Sequence, residues 1–224
     1  PDAARLETEQ ENTMQAYTVI NGKDIASLAL VTREPQALGP HDVRVRINAV
    51  SLNFRDLMVA RGDYLQGASS PVIPASDAAG EVIEVGKAVT RFAPGDRVMG
   101  SFFPDWIDGD ATPATTRVAP GAATDGVLST ERVFAETALA ATPPSLSDEQ
   151  ASTLPCAAVT AWNALFVAGG AKAGHTALFL GTGGVSVWGL QLAKAAGLRA
   201  IITSSSASKL ERARAMGADG LINY

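Results

Sequence analysis

Cysteine and histidine are nearly absent from this sequence, which has one cysteine, Cys156, and two histidines, His41 and His175, among 224 residues. A single cysteine excludes a disulfide within the chain and any zinc site built from several cysteines. His41 lies in a predicted turn and His175 just before a predicted strand, so neither receives a catalytic role. We assign no metal ligand.

Positive charge is also scarce, since 18 Lys and Arg face 23 Asp and Glu for a formal net charge of -5. The basic residues are scattered, which predicts no nucleic-acid partner and no membrane partner. No uninterrupted apolar run approaches the roughly 18 residues of a membrane span. The first 13 residues are acidic and polar, unlike a signal peptide, and they predict a disordered extension. A cytoplasmic location is the expectation.

Residues 14–145 have the pattern of an all-β domain. Apolar and polar residues alternate with period two over 42–50 and 79–86, and further short strands are punctuated by Gly and Pro. This pattern indicates a barrel or a sandwich. A short helix interrupts it at about 53–61, and residues 105–126 form a long polar loop, of a length that is often functional.

Residues 146–224 change to a helical and then a β-α-β-α-β pattern. An apolar strand ends at the turn Gly181-Thr182-Gly183-Gly184, and a helix follows through Val185 and Ser186 to Gly197. A glycine turn that opens a helix is how a backbone binds a pyrophosphate, because the helix-start N–H groups point at the anion. The alternative is an ordinary strand–helix turn that needs glycine for packing. Only three strands are present where five or six are usual, which predicts an incomplete sheet or partner chains.

The end of the second strand selects the nicotinamide cofactor in a unit of this kind. Ser204 stands where an NAD-selecting carboxylate is expected, and Ser205 and Lys209 follow it. Hydroxyls and a cation favour a 2′-phosphate, so we predict NADP(H) in preference to NAD(H), with NAD(H) left open. These serines also suit a helix start, and the two roles are compatible.

Several motifs together resemble those of the medium-chain dehydrogenase/reductase superfamily, in its zinc-independent quinone oxidoreductase or zinc-type alcohol dehydrogenase-like branch. They occupy residues 53–57, 71–86, 93–98, 154–162 and 181–197. The resemblance implies an α/β chain with a GroES-like β-barrel domain for substrate (14–145) and a Rossmann nucleotide-binding domain (146–224), truncated after the third strand.

The same resemblance implies how the chemistry is arranged. The positions that match the catalytic zinc ligands of alcohol dehydrogenases are Asn53, Ser76 and Cys156, of which only the cysteine is a zinc ligand type. Without zinc as a Lewis acid, reduction of a quinone or an α,β-unsaturated carbonyl is easier than oxidation of a simple alcohol.

Three residues are the catalytic candidates. Asn53 is the hydrogen-bond donor to the developing oxyanion, Tyr64 positions the substrate or donates a proton, and Asp56 orients its neighbours. Each has a structural alternative: Asn53 caps a helix, Tyr64 packs on a loop, and Asp56 interacts with the helix dipole. The cofactor-binding candidates are Thr160, which matches a nicotinamide contact, with Gly181, Thr182, Gly183, Gly184, Val185, Ser186, Ser204, Ser205, Lys209 and Tyr224.

Two other functions stay open on the sequence alone. One is alcohol dehydrogenase activity, and the other is a non-catalytic cofactor-binding or structural protein. The substrate is expected to be a small carbonyl or quinone molecule. A homodimer is the assembly expected of a full-length form.

Overall fold

The computed structural model describes residues 13–64 and 71–224. The chain separates into two compact units, one that extends to Pro155 and one that runs from Cys156 to Tyr224. Residues 1–12, which carry most of the predicted disordered extension, lie outside the described residues.

The first unit is built mainly from antiparallel strands, with a helix after the third of them. Its strands are β1 (Met14–Ile20), β2 (Ala29–Arg33), β3 (Asp42–Ser51), β4 (Pro71–Val72), β5 (Asp77–Val85), β6 (Arg97–Gly100), β7 (Glu131–Ala135) and β8 (Leu139–Ala141). Five of them form a sheet in the order β7-β3-β5-β6-β8, and β2-β1-β4 form a second, three-stranded sheet. The helix α1 (Phe54–Arg61) follows β3.

Alternation along β3 explains how the larger sheet forms its core. Val43 and Val45 point inward and are buried, whereas Arg44 points outward and forms ion pairs with Glu84 and Glu131. The pairing of β3 with β5 contains two register shifts, and such irregularities bend and twist a sheet. The core therefore lies inside a curled sheet. Its buried members are Val43, Val45, Ala75, Ala78, Val82, Val98, Val127, Phe134 and Leu139.

A helical stretch from Asp148 to Ala168 begins in the first unit and continues into the second. It comprises α2 (Asp148–Ala151), α3 (Val159–Trp162) and wider, π-type turns over Leu154–Ala158 and Asn163–Ala168. Asp148 accepts hydrogen bonds from Asn48 Nδ2 (2.8 Å) and Arg97 Nε (2.9 Å). These bonds hold the start of the stretch against the β strands, so the units divide after Pro155 although the sequence pattern changes near 145.

Among the described residues, this one stretch has the length (21 residues) and mean hydropathy (1.3) of a membrane-spanning helix. Core helices of soluble proteins meet the same criterion. The stretch is interrupted by polar residues, including Thr153, Thr160 and Asn163. The expected absence of a membrane partner stays a prediction.

The second unit is the predicted β-α-β-α-β segment. Its elements are β9 (Thr176–Phe179), α4 (Gly184–Ala195), β10 (Arg199–Ser204), α5 (Ala207–Ala215) and β11 (Gly220–Asn223). The three strands are parallel, in the order β11-β10-β9. The helices cover a core of Leu190, Ala193, Leu198, Ala200, Ile202, Leu210 and Ala213. The α/β fold class expected from the sequence, a GroES-like β domain followed by a Rossmann-type segment, is confirmed.

Candidate functional site

The carboxyl ends of β9, β10 and β11 meet at one edge of the parallel sheet. This edge carries the glycine turn after β9, Ser204 at the end of β10 and Tyr224 after β11. Ligands of open α/β sheets bind outside the carboxyl ends of the strands. The structure therefore brings most of the predicted cofactor-binding residues to the edge where such a ligand binds.

The glycine turn leaves the start of α4 open to an anion. Gly181 has a positive φ of 77°, and its N–H donates to Thr203 Oγ1 at 2.9 Å. Gly183 is the N-cap of α4 and supplies no side-chain cap. A Cβ atom built on Gly181 or Gly183 meets nothing within 4 Å, so there is space at the turn. Uncapped N–H groups beside open space fit a pyrophosphate.

Close packing between α4 and β9 occurs at Gly189 rather than at Ser186, the predicted third-glycine position. A Cβ atom at Gly189 would lie 2.4 Å from Cε1 of Phe179. The Ser186 hydroxyl instead donates to Leu180 O at 3.1 Å and does not cap the helix. Gly189 is not among the predicted site residues, although its place one turn after Ser186 is a signal visible in the sequence.

Ser204 is buried and its hydroxyl is used within the protein. It is 5% exposed, accepts from Ser206 N at 3.2 Å and lies 3.4 Å from Thr182 Oγ1. Ser206, not Ser204, caps α5, because its Oγ accepts from the N–H of Lys209 at 3.5 Å. The helix-start role considered for Ser204 and Ser205 therefore falls on Ser206, and cofactor selection by Ser204 stays a prediction.

Two cations lie near the end of β10. Lys209 is exposed on α5, as is Ser205 just before that helix. Lys209 and Arg212 line a small cavity together with Thr182 of the glycine turn. Arg212 was not among the predicted site residues, although its spacing of three residues from Lys209 places both on one face of a helix.

The remaining cofactor candidates are exposed. Thr160 lies on α3, which packs against α4, and Ala157 Cβ lies 3.5 Å from the position of a Cβ at Gly184. Val185 is in the first turn of α4, and Tyr224 follows β11 with its side chain in solvent. The hydrogen bonds between described residues assign no partner to the Thr160 or Tyr224 hydroxyl.

In the first unit, Asn53 and Asp56 form the capping box of α1. The Asn53 N–H donates to Asp56 Oδ2 at 2.8 Å, and the Asp56 N–H donates to Asn53 O at 3.0 Å. Burial raises the pKa of Asp56, while the bond from Asn53 and the charge of Arg55 oppose that rise. Asn53 therefore occupies the N-cap position without a side-chain cap hydrogen bond, and the Asp56 carboxylate holds the Asn53 backbone.

Four buried side-chain atoms without a hydrogen-bond partner lie on this single helical turn. They are Asn53 Nδ2, Arg55 Nε, Arg55 Nη1 and Asp56 Oδ1. Buried polar groups in native proteins are nearly always paired, and exceptions call for a ligand, a water or a functional role. Arg55 is not among the predicted site residues, and its burial depends on distant segments. Tyr64, 41% exposed, places its ring 4.8 Å from the Arg55 guanidinium carbon.

The positions that match zinc ligands hold Asn53, Ser76 and Cys156, of which only the cysteine is a zinc ligand type, and zinc independence stays a prediction. Asn53 is a helix cap, and Ser76 is buried with its hydroxyl donating to Asp77 Oδ1 at 2.7 Å. Within residues 13–64 and 71–224, no three His, Cys, Asp or Glu side chains cluster as a metal site would require.

The chain is similar to a known domain family and to individual known proteins. Residues 39–144 match the alcohol dehydrogenase GroES-like domain family. The chain is 46% identical over 192 residues to a zinc-type alcohol dehydrogenase-like protein of Schizosaccharomyces pombe, a match that covers 85% of this chain and 56% of that protein. It is 34% identical over 195 residues to a quinone oxidoreductase of Pseudomonas aeruginosa, covering 85% and 53%.

A solved structure from Sinorhizobium meliloti 1021, described as an alcohol dehydrogenase, superposes with a TM-score of 0.86 at 46% identity. The superposition covers 95% of this chain and 63% of that protein. The chain thus spans just over half the length of the curated relatives it matches.

Proposed function

Because the chain belongs to the medium-chain dehydrogenase/reductase superfamily, we propose that it carries the substrate and cofactor sites of an NADPH-dependent oxidoreductase. In this proposal a hydride passes to a quinone or an α,β-unsaturated carbonyl compound, without catalytic zinc. The proposal names a small-molecule substrate and a cytoplasmic location, with no nucleic-acid or membrane partner and a homodimer in a full-length form.

The observation that carries the proposal is a buried, unpaired hydrogen-bond donor at the start of α1. Asn53 Nδ2 is buried without a partner, although the backbone of the same residue is held by Asp56. A preorganised donor of this kind stabilises negative charge on an oxygen without reorganising as the charge develops. Asn53 is thus suited to bind the carbonyl oxygen of a hydride acceptor.

The bound nicotinamide and the side chains of the candidate site determine which hydride acceptor is favoured. When bound, the nicotinamide supplies the hydride. Asn53 donates its amide N–H to the oxygen on which charge accumulates, and Asp56 fixes the Asn53 main chain. The Tyr64 hydroxyl positions the acceptor or supplies the proton that completes the reduction. A conjugated acceptor suits this set, because conjugation spreads the arriving charge and lessens the need for a Lewis acid.

The cofactor preference rests on the end of β10. Ser204 offers no carboxylate to a ribose 2′-hydroxyl, and Lys209 and Arg212 bring two positive charges to the cavity that Thr182 also lines. A dianionic 2′-phosphate is favoured by such charges. The open turn at Gly181 and Gly183 is suited to hold the pyrophosphate.

The test is turnover of NADPH with 1,4-benzoquinone and with cinnamaldehyde, comparing the parent with Asn53→Ser and Asn53→Asp. Both replacements are good helix caps but lack the amide donor. We expect kcat to fall by about 10²–10³, the loss typical of one oxyanion donor, with unchanged NADPH affinity. Equal kcat in all three proteins contradicts the role of Asn53.

Alcohol dehydrogenase activity is the second candidate, favoured by the similarity to the Sinorhizobium structure. Stoichiometric zinc by elemental analysis, with alcohol-dependent reduction of NADP⁺, supports it over quinone or enone reduction. NADPH binding without turnover of any acceptor supports a non-catalytic cofactor-binding or structural protein.

A further inference from the structure

Arg55 is a buried cation at the second position of α1. Its exposed fraction is 9%, and its Nη2 donates to Pro120 O at 2.8 Å and to Ala119 O at 3.4 Å. Nε and Nη1 are buried and have no hydrogen-bond partner. None of the ion pairs formed between described residues includes Arg55. The donors of this guanidinium are therefore only partly used.

A buried guanidinium with unpaired N–H groups is unfavourable unless a further group accepts hydrogen bonds from them. A guanidinium keeps its charge in proteins and has five N–H donors. A buried donor left unpaired costs on the order of 1–3 kcal/mol, and more when the group is charged. Two buried N–H-bearing atoms on one cation therefore indicate the position of an oxygen ligand.

The surroundings of Arg55 limit the shape of that ligand. The ring centres of Tyr64 and Phe102 lie 4.8 and 5.1 Å from the guanidinium carbon. Phe102 makes an edge-to-face contact with Phe103 (4.7 Å), and Phe103 in turn contacts Trp106 (6.3 Å). Rings that contact the guanidinium restrict approach to its faces, so a ligand reaches its N–H groups at the edge. A flat anionic group suits this approach better than a tetrahedral one.

We propose that Arg55, Tyr64 and Phe102 form a subsite for the carboxylate of a planar conjugated compound. This inference rests on the proposed function, because it makes the acceptor an anionic one that is held beside the turn that carries Asn53. The carboxylate accepts from an N–H of Nε or of Nη1, and the conjugated part of the ligand stacks on the aromatic side chains. Tyr64, two-fifths exposed, forms the solvent side of the subsite.

The binding test uses benzoate and its neutral isostere benzamide, titrated calorimetrically into the whole 224-residue chain without cofactor. We expect saturable benzoate binding at least 10-fold tighter than benzamide binding. Arg55→Gln should weaken benzoate binding at least 10-fold. Arg61→Gln removes an exposed charge from the same helix and should leave binding unchanged.

Two further comparisons keep the test decisive if Arg55→Gln does not fold. Tyr64→Phe keeps the ring and should bind benzoate like the parent, whereas Tyr64→Ala should bind it more weakly. In the unmodified protein, benzoate binding no tighter than benzamide binding overturns the proposal by itself. Equal affinities of the parent and a folded Arg55→Gln overturn it as well.

The outcomes separate this inference from the proposed function. Benzoate binding without NADPH turnover on either 1,4-benzoquinone or cinnamaldehyde overturns the proposed function and leaves the subsite. Turnover of 1,4-benzoquinone without benzoate binding overturns the subsite alone. If both hold, Arg55→Gln should raise KM for 4-carboxycinnamaldehyde about 10-fold and alter KM for uncharged cinnamaldehyde far less.

Discussion

The hydroxyl oxygens of Thr182 and Ser204 lie 3.4 Å apart, so the glycine turn after β9 is linked to the end of β10. Ser204 also accepts a hydrogen bond from Ser206 N. The residue proposed to select the cofactor by its ribose is thus part of the local structure. A change at Ser204 is therefore expected to act on cofactor preference and on the turn together.

Ser204→Asp should invert the cofactor preference. A carboxylate there accepts from a ribose 2′-hydroxyl and repels a 2′-phosphate, so the Kd for NADPH should rise and that for NADH fall. Titration of both reduced cofactors by fluorescence measures the change. Ser204→Asn, which adds similar volume without charge, is the control and should not favour NADH. Equal affinities of the parent for the two cofactors contradict the assignment.

Removing either of the two cations on α5 should weaken the binding of NADPH more than the binding of NADH. Lys209→Met and Arg212→Met should each raise the Kd for NADPH about 10-fold, the loss of roughly 1.4 kcal/mol expected of a charge-assisted hydrogen bond. The Kd for NADH should change little. Lys172→Met removes an exposed charge elsewhere in the second unit and serves as the control. A parallel loss for NADPH and NADH would show that the two residues do not contact the 2′-phosphate.

Gly189→Ala should destabilise the protein although alanine favours helices by about 1 kcal/mol. The added Cβ lies 2.4 Å from the Phe179 ring, and overpacking of this kind typically costs about 1–3 kcal/mol. Chemical denaturation followed by circular dichroism measures the difference.

The control is Gly184→Ala, whose Cβ meets only an ordinary contact with Ala157. Phe179→Leu should restore part of the stability in the Gly189→Ala background. A Gly189→Ala protein at least as stable as the parent would show that the Phe179 ring moves aside at no cost.

Asp148→Asn should destabilise the first unit at neutral pH and less at acid pH. Burial opposes ionisation of Asp148, but hydrogen bonds from Asn48 and Arg97 and the charge of Arg97 outweigh it and lower its pKa. Stability from a lowered pKa is present above the unfolded value, near 3.8, and is lost as the pH falls through the folded value. Urea unfolding should show a deficit of about 1 kcal/mol at pH 7 that shrinks by pH 3. Exposed Asp108→Asn should show neither effect.

Asp56→Asn should have the opposite pH dependence. Burial raises the pKa of Asp56, so its contribution is fully present below the unfolded value and is lost as the pH rises through the folded value. The amide oxygen of Asn still accepts the Asn53 N–H. As the pH rises from about 4 to 7, the variant should therefore lose less stability than the parent, as measured by urea unfolding. An equal slope in both proteins would contradict a raised pKa.

The sequence was most informative where periodicity and turn chemistry agree. The β-α-β-α-β segment and α1 occur where they were predicted, because glycine turns and capping residues mark their ends locally. β4, β7 and β8 were not predicted. They contain two to five residues, too few for a period to show, and they form through pairing with distant strands.

In the candidate site, too, residues defined by local sequence were predicted, and residues whose surroundings come from distant segments were not. Gly181, Gly183 and the Asn53–Asp56 pair are defined within a few residues, so sequence reasoning reached them. The burial of Arg55 depends on Phe102 and on the carbonyls of Ala119 and Pro120, which lie far away in the chain. No local pattern signals that environment. Gly189 was missed for a different reason, since the expected motif placed the packing position at Ser186.

The position of Trp106, beside Phe103, makes the first unit spectroscopically separable from the second. The chain has three tryptophans, of which Trp106 alone precedes residue 156. Trp106 donates its indole N–H to Gly109 O at 3.1 Å and neighbours the aromatic cluster around Arg55. In a protein with Trp162 and Trp188 replaced by phenylalanine, emission reports on the first unit alone. One optical signal then follows both the melting of that unit and the arrival of a ligand at Arg55.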